Sequence, residues 1–153
     1  MKNKTEIKRK LVSLCEEYVN NKISVAQEAV DTAQSSANKE SKCSAGDKYE
    51  TGRAMLHLDV IKYSAQLHEG LKLKKTLHQI DYEKENQKVQ SGSLVYTSNG
   101  IFFIMIGAGK FSINEINYTT ISFSSPIGQA LFNKSSGEKI NFRNKTYIIN
   151  SIV

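Results

Sequence analysis

The sequence predicts an α+β fold in two parts: a long antiparallel helical hairpin of coiled-coil type over residues 1–88, then a small antiparallel sheet domain with one short helix over 89–153. Three observations lead there. Apolar residues recur at helical spacing on both sides of one short, Gly-containing stretch. Charge density falls near residue 90, because residues 1–90 hold 16 Lys and Arg against 13 Asp and Glu while residues 91–153 hold 5 against 2. Beyond that point short runs rich in Ile, Val, Phe and Tyr alternate with turn signals.

In the first helix the repeating positions are Ile7, Leu11, Leu14, Tyr18 and Val25, followed by the smaller Ala29, Ala33 and Ala37. The pattern resumes with Ala54, Leu58, Ile61, Ala65, Leu71, Leu77 and Ile80. Gly70 interrupts it at a cost of about 1 kcal/mol relative to Ala. Neither helix contains proline. Two helices of roughly 30 residues joined by a short turn form a stalk whose arms are each roughly 45 Å long. The tip falls at about residues 39–50, and Ala33, Ser35, Ser36, Ala37 and Ala45 keep that end slim.

The polar segment Asp81–Gly92 reads as a helix end running into a linker, which puts the domain boundary near residue 88. After it, "SLVYT", "IFFIMI", "INFR" and "TYIINSIV" read as strands, with turns at Asn99-Gly100 and Arg143-Asn144-Lys145. In "SSPIGQALF", Ser125 is suited to cap a helix and Pro126 to its first position.

Composition and motifs exclude several classes of function. The basic start is followed by an apolar run broken at Glu16 and Glu17, and no stretch approaches the roughly 20 apolar residues of a membrane span. A cytoplasmic protein without a membrane partner is expected. Cys15 and Cys43 lie 28 residues apart (43 − 15). Along a helix that is about 42 Å, too far for a disulfide, and two cysteines alone make no zinc site. "IGAGK" at Ile106–Lys110 lacks the spacing and the Ser or Thr of a phosphate loop and reads as a turn. His57, His68 and His78 read as solvated or interfacial helix residues, and "HEGLK" lacks the second histidine of a metalloprotease pair. With no nucleophile elbow either, the chain is expected to be neither an enzyme in its own right nor a binder of a small-molecule substrate.

The stretch "KCSAGDKYETGRAM" places Asp47 and Glu50 three residues apart where the second helix begins. One reading is structural: Asp47 caps the helix and Glu50 completes a capping box. The other is chemical. Two carboxylates at the end of a slim stalk can bring ligands for Mg²⁺ into a narrow cavity of a partner, since that ion takes one or two protein carboxylates and keeps several waters. Lys39, Lys42, Lys48 and Arg53 would offset repulsion from phosphate there and contact RNA or the partner.

A hairpin with Gly46-Asp47-Lys48-Tyr49-Glu50 at its tip, followed by a sheet domain containing "SPIGQALFNKSSGEKI", resembles the bacterial Gre transcript cleavage factors. Ser125, Pro126, Ile127, Gly128, Ala130, Leu131, Lys134, Gly137 and Ile140 match the family's C-terminal pattern, and the two motifs together cover nearly the whole chain in the family's order. The resemblance implies an FKBP-like C-terminal domain that docks on RNA polymerase through Ser125, Pro126, Ile127 and Gly128. It further implies a hairpin inserted through the secondary channel. There Asp47 and Glu50 would share a weakly held second Mg²⁺ with the polymerase, which then cleaves the 3′ end of backtracked RNA. It implies no cofactor of the factor's own and only indirect contact with the nascent RNA. The sequence departs from the family where Thr51-Gly52-Arg53-Ala54 replaces Asn-Ala-Glu-Tyr, and at Gln129, where arginine is common. A non-cleaving regulator of the same channel is the alternative. A third reading is a peptidyl-prolyl isomerase whose pocket would draw on Phe102, Phe103, Phe111, Tyr118 and Phe123.

Overall fold

A helix of 39 residues opens the chain, α1 (Lys2–Glu40), and is followed by a second of 34 residues, α2 (Gly46–Gln79). The computed structural model describes the backbone of residues 2–40 and 46–153 and the side chains of residues 3–39 and 52–153. After the helices come β1 (Leu94–Thr97), β2 (Gly100–Ile104), β3 (Gly109–Ile113), β4 (Ile116–Ile121), a short helix α3 (Pro126–Leu131), β5 (Lys139–Phe142) and β6 (Lys145–Ile152). The fold is α+β, and no helix among the described residues is long and apolar enough to cross a membrane. The chain divides into two compact units, Met1–Glu16 with Lys75–Val153, and Glu17–Lys74.

In the first unit the six strands form one sheet in the order β3-β4-β2-β1-β6-β5. Every pairing is antiparallel except β2 with β4, whose register sets Phe102 beside Thr119 and Ile104 beside Ile121. The sheet expected from sequence lacked β3 and β4. They are joined through Asn114 and Glu115, both at positive φ, a two-residue turn of the primed kind without the glycine that usually signals it. The turn at Arg143 and Asn144 has the same form.

Both faces of this sheet are buried. On one, Val95, Phe102, Ile104, Ile121, Ile140, Tyr147 and Ile149 form a core with Val89 and Leu131, and the Phe102 and Tyr147 rings meet edge to face at 5.9 Å. Val89 belongs to the segment expected to be a linker. Its N–H donates to Lys134 O at 2.9 Å and its carbonyl accepts from Asn133 N–H at 2.8 Å, so the segment is fastened to the sheet. The other face carries Leu94, Phe103 and Tyr118, all fully or almost fully buried, and meets the first turns of α1. There Lys4 Nζ stands 5.0 Å above the Tyr96 ring, and Lys8 Nζ donates to Val153 O at 3.1 Å.

In the second unit α1 presents Val19, Ala26, Ala33 and Ala37, all buried. From α2 come the half-buried Leu56, Val60, Tyr63 and Leu67 and the buried Gly70, a 4-3-4-3 spacing of the coiled-coil kind. Gly70 is where the arms come close: a Cβ there would lie 2.9 Å from Ile23 Cγ1. The apolar stripe expected on α2 is therefore corrected. Leu58 and Ile61 are 65% and 66% exposed, and Ala54 and Ala65 are exposed beside them. On α1, Tyr18 and Val25 are likewise exposed, whereas Val12, Cys15 and Val19 pack inward. Periodicity placed Leu11, Ala33, Ala37 and Leu77 correctly but missed elsewhere, because each helix carries apolar residues on more than one side.

Lys8 is 2% exposed, and its burial lowers its pKa below the ordinary 10.5, opposed in part by Asp81 and Glu85. The unfolded chain thus holds this proton more tightly than the folded one. The cost of burying the charge is present below the folded pKa and is relieved as pH rises through it toward 10.5. Lys8→Met is expected to lose no stability at pH 7 and to gain up to about 2 kcal/mol, because the Val153 carbonyl still accepts from Leu94 N–H at 2.9 Å. Urea unfolding should show the advantage of the variant shrinking as pH is raised.

Candidate functional site

The residues from Ser122 to Asn133 form a surface built on a capped turn. Ser125 is the N-cap of α3: its Oγ accepts from Gly128 N–H at 3.1 Å and donates to Ser122 O at 2.7 Å. Pro126 occupies the first turn, where its missing N–H costs nothing. Gly128 is buried, and a Cβ there would overlap the Ser122 carbonyl oxygen and come within 2.8 Å of Ser125 Oγ. Ile127 packs against the core. Of the four docking residues expected from sequence, Ser125, Ile127 and Gly128 therefore build the turn, and Pro126 alone is exposed.

What the turn exposes is an aromatic pair. Phe123 and Phe132, at the two ends of α3, are 43% and 39% exposed, and their rings meet edge to face with centroids 4.5 Å apart. Sequence reasoning passed over Phe132. The available signal was two phenylalanines flanking a six-residue helix whose buried side is already filled by Ile127 and Leu131. With Pro126 they form an apolar surface suited to a protein partner.

The other sequence candidates lie at the start of α2. Asp47, Lys48 and Glu50 fall in the first turn of that helix, and their side chains lie outside the described residues, as does the capping reading of Asp47. Lys42 lies outside the described residues altogether. Lys39 is exposed in the last turn of α1, where a cation suits the helix C-terminus, and Arg53 is exposed on α2.

The remaining motifs are structural. In "IGAGK" the Ala108 N–H donates to Thr120 Oγ1 at 3.1 Å, and that hydroxyl donates to Gly109 O at 3.0 Å, so the loop is tied to β4. Cys15 is fully buried, and burial pushes its thiol up to about 12. Of the aromatics considered for an isomerase pocket, Phe102 faces one core while Phe103, Phe111 and Tyr118 face the opposite side of the sheet. Among the described residues no His, Cys, Asp and Glu cluster is placed to hold a metal ion. Compared with protein-family models, curated proteins and solved structures, the chain matches none of them.

The turn and the surface it carries should separate by mutation. Gly128→Ala is expected to cost about 2–3 kcal/mol through overlap with the Ser122 carbonyl, and Ser125→Ala about 1 kcal/mol through loss of the cap. Phe123→Ala and Phe132→Ala should cost no more than about 1 kcal/mol each. Urea unfolding of the four variants tests the order.

Proposed function

We propose that this chain is an accessory factor of bacterial RNA polymerase that enters the secondary channel with its helical hairpin and stimulates cleavage of backtracked RNA. The observation that carries the reading is the pairing of Asp47 and Glu50, three residues apart in the first turn of the second arm of a hairpin, with a Ser-Pro-Ile-Gly turn in the sheet domain that follows. The hard oxygens of the two carboxylates fit Mg²⁺, which in the polymerase centre stabilises the attacking and leaving oxygens of the phosphodiester. The chain's own part is to supply these two carboxylates, with the exposed Lys39 and Arg53 to tolerate phosphate. Docking falls to the exposed pair Phe123 and Phe132, with Pro126.

A second reading, a channel-occupying regulator without cleavage, is favoured by Thr51-Gly52-Arg53-Ala54 directly after Glu50. Gly52 loosens the turn that would fix the carboxylates.

The two halves of the reading predict opposite defects in reconstituted backtracked elongation complexes. Asp47→Ala/Glu50→Ala should bind polymerase like wild type and lose stimulated cleavage roughly 10–100-fold or more. Phe123→Ala/Phe132→Ala should bind about 10-fold more weakly or worse, yet cleave normally once saturated. Wild-type protein that binds and inhibits, with no 3′ shortening that depends on the carboxylates, identifies the regulator instead.

A further inference from the structure

We propose that the cleft between the start of α1, residues 85–87 and the loop at Ser135 and Ser136 binds a short zwitterionic peptide, in the simplest case a dipeptide. The cleft lies within the first unit and holds about 660 Å³, inside the roughly 300–1,000 Å³ of small-molecule sites. No sequence motif marks it, because its lining comes from distant parts of the chain: Lys4, then Glu85, Asn86 and Gln87, then Ser135, with Ile152. The fold leaves several of these groups short of a partner. Among the described residues the ion pairs join Arg9 to Glu83 and Lys10 to Glu6, so Lys4 and Glu85 line one cleft without pairing with each other. The half-buried Lys4 has its Nζ 5.0 Å from the Tyr96 ring centroid instead. Asn86 is half-buried too, and its Nδ2 reaches Lys84 O and Ser93 Oγ at 3.5 Å each, longer than an ordinary hydrogen bond.

The lining selects the ligand. Opposite charges that share a cleft without meeting call for a molecule that carries both. A phosphate would bring its charge to a single lysine and set it against Glu85, because Lys8, the other cation of this region, is already held by Val153 O and does not line the cleft. A simple amine would be set against Lys4 in the same way. A dipeptide answers every group. Its carboxylate suits the Lys4 ammonium and its ammonium suits Glu85, both as charge-assisted hydrogen bonds. Its peptide N–H and C=O match the amides of Asn86 and Gln87, each of which donates and accepts. An apolar side chain has Ile152 to pack on. A free amino acid has the two charges but lacks the peptide group for the amides.

The test is calorimetric titration of the full-length chain with alanyl-leucine, and with the same dipeptide acetylated at its amine or amidated at its carboxylate. Wild type is expected to bind the unmodified dipeptide with a Kd of about 1 mM or tighter, and each blocked form about 10-fold more weakly. Lys4→Met should weaken the unmodified dipeptide by a similar factor and make amidation cost nothing further. Glu85→Gln should do the same for acetylation, and as a change at an exposed residue it leaves thermal unfolding unaltered. No binding by wild type up to about 10 mM overturns the proposal. Blocked and unmodified dipeptides that bind alike overturn the choice of a zwitterion. Unchanged affinity in both variants overturns the assignment to this cleft.

Discussion

A six-stranded sheet that is apolar on both faces needs two covers, and the fold of the first unit follows from how they are supplied. α3 and the segment around Val89 close one face over Val95, Phe102 and Ile104. The first turns of α1 close the other, over Leu94, Phe103 and Tyr118. Removing those turns would open the sheet to water, which explains why residues 1–16 cluster with 75–153 and not with the remainder of their own helix. Lys8 marks the joint. Its ammonium is held at the end of β6 by a carbonyl that Leu94 already uses, so the lysine adds placement more than net stability.

The Ser125–Gly128 motif also has a structural part, holding the turn that carries Phe123 and Phe132. Ser125, Ile127 and Gly128 satisfy a cap, fill the core and allow a close backbone approach, each for a reason internal to the fold. Their combined effect is to fix both ends of a helix too short to be stable alone. The aromatic pair sits at those ends. A rigid turn holding two partly exposed rings loses little side-chain freedom on binding, so the cost of ordering them is met during folding.

How much was legible depended on whether one residue type carried the signal. The cap at Ser125-Pro126 was readable because hydroxyl and imide each have a specific role at a helix start. The strands β1, β2, β5 and β6 were readable from their Ile, Val, Phe and Tyr content. β3 and β4 were not, because "GKFSINEINYTTI" is largely polar, as an edge hairpin exposed along much of its length can be, and its turn uses Asn114-Glu115 without glycine. The packed side of α2 was also hidden. Leu58, Ile61 and Ala65 repeat as regularly as Leu56, Val60, Tyr63 and Leu67, and spacing alone cannot say which row meets α1. Asp47 and Glu50 stand out as a pair in the sequence, but their side chains lie outside the described residues. The aromatic pair needed coordinates: no sequence rule places Phe123 against Phe132.

The two arms of the second unit are unequal in the size of the side chains they pack. α1 offers Ala26, Ala33 and Ala37 where α2 offers Leu56, Val60 and Tyr63, small against large. Gly70 against Ile23 applies the same rule with the partners exchanged. Small residues let backbones approach, but they also bury less area per turn and leave a groove of about 480 Å³ along Ala29, Ala33, Leu56 and Tyr63. Larger residues in that groove would have filled it at a gain in stability. A hairpin selected for stability alone would carry leucine on both arms. The small residues of α1 over 26–37 therefore favour close approach of the arms over buried area.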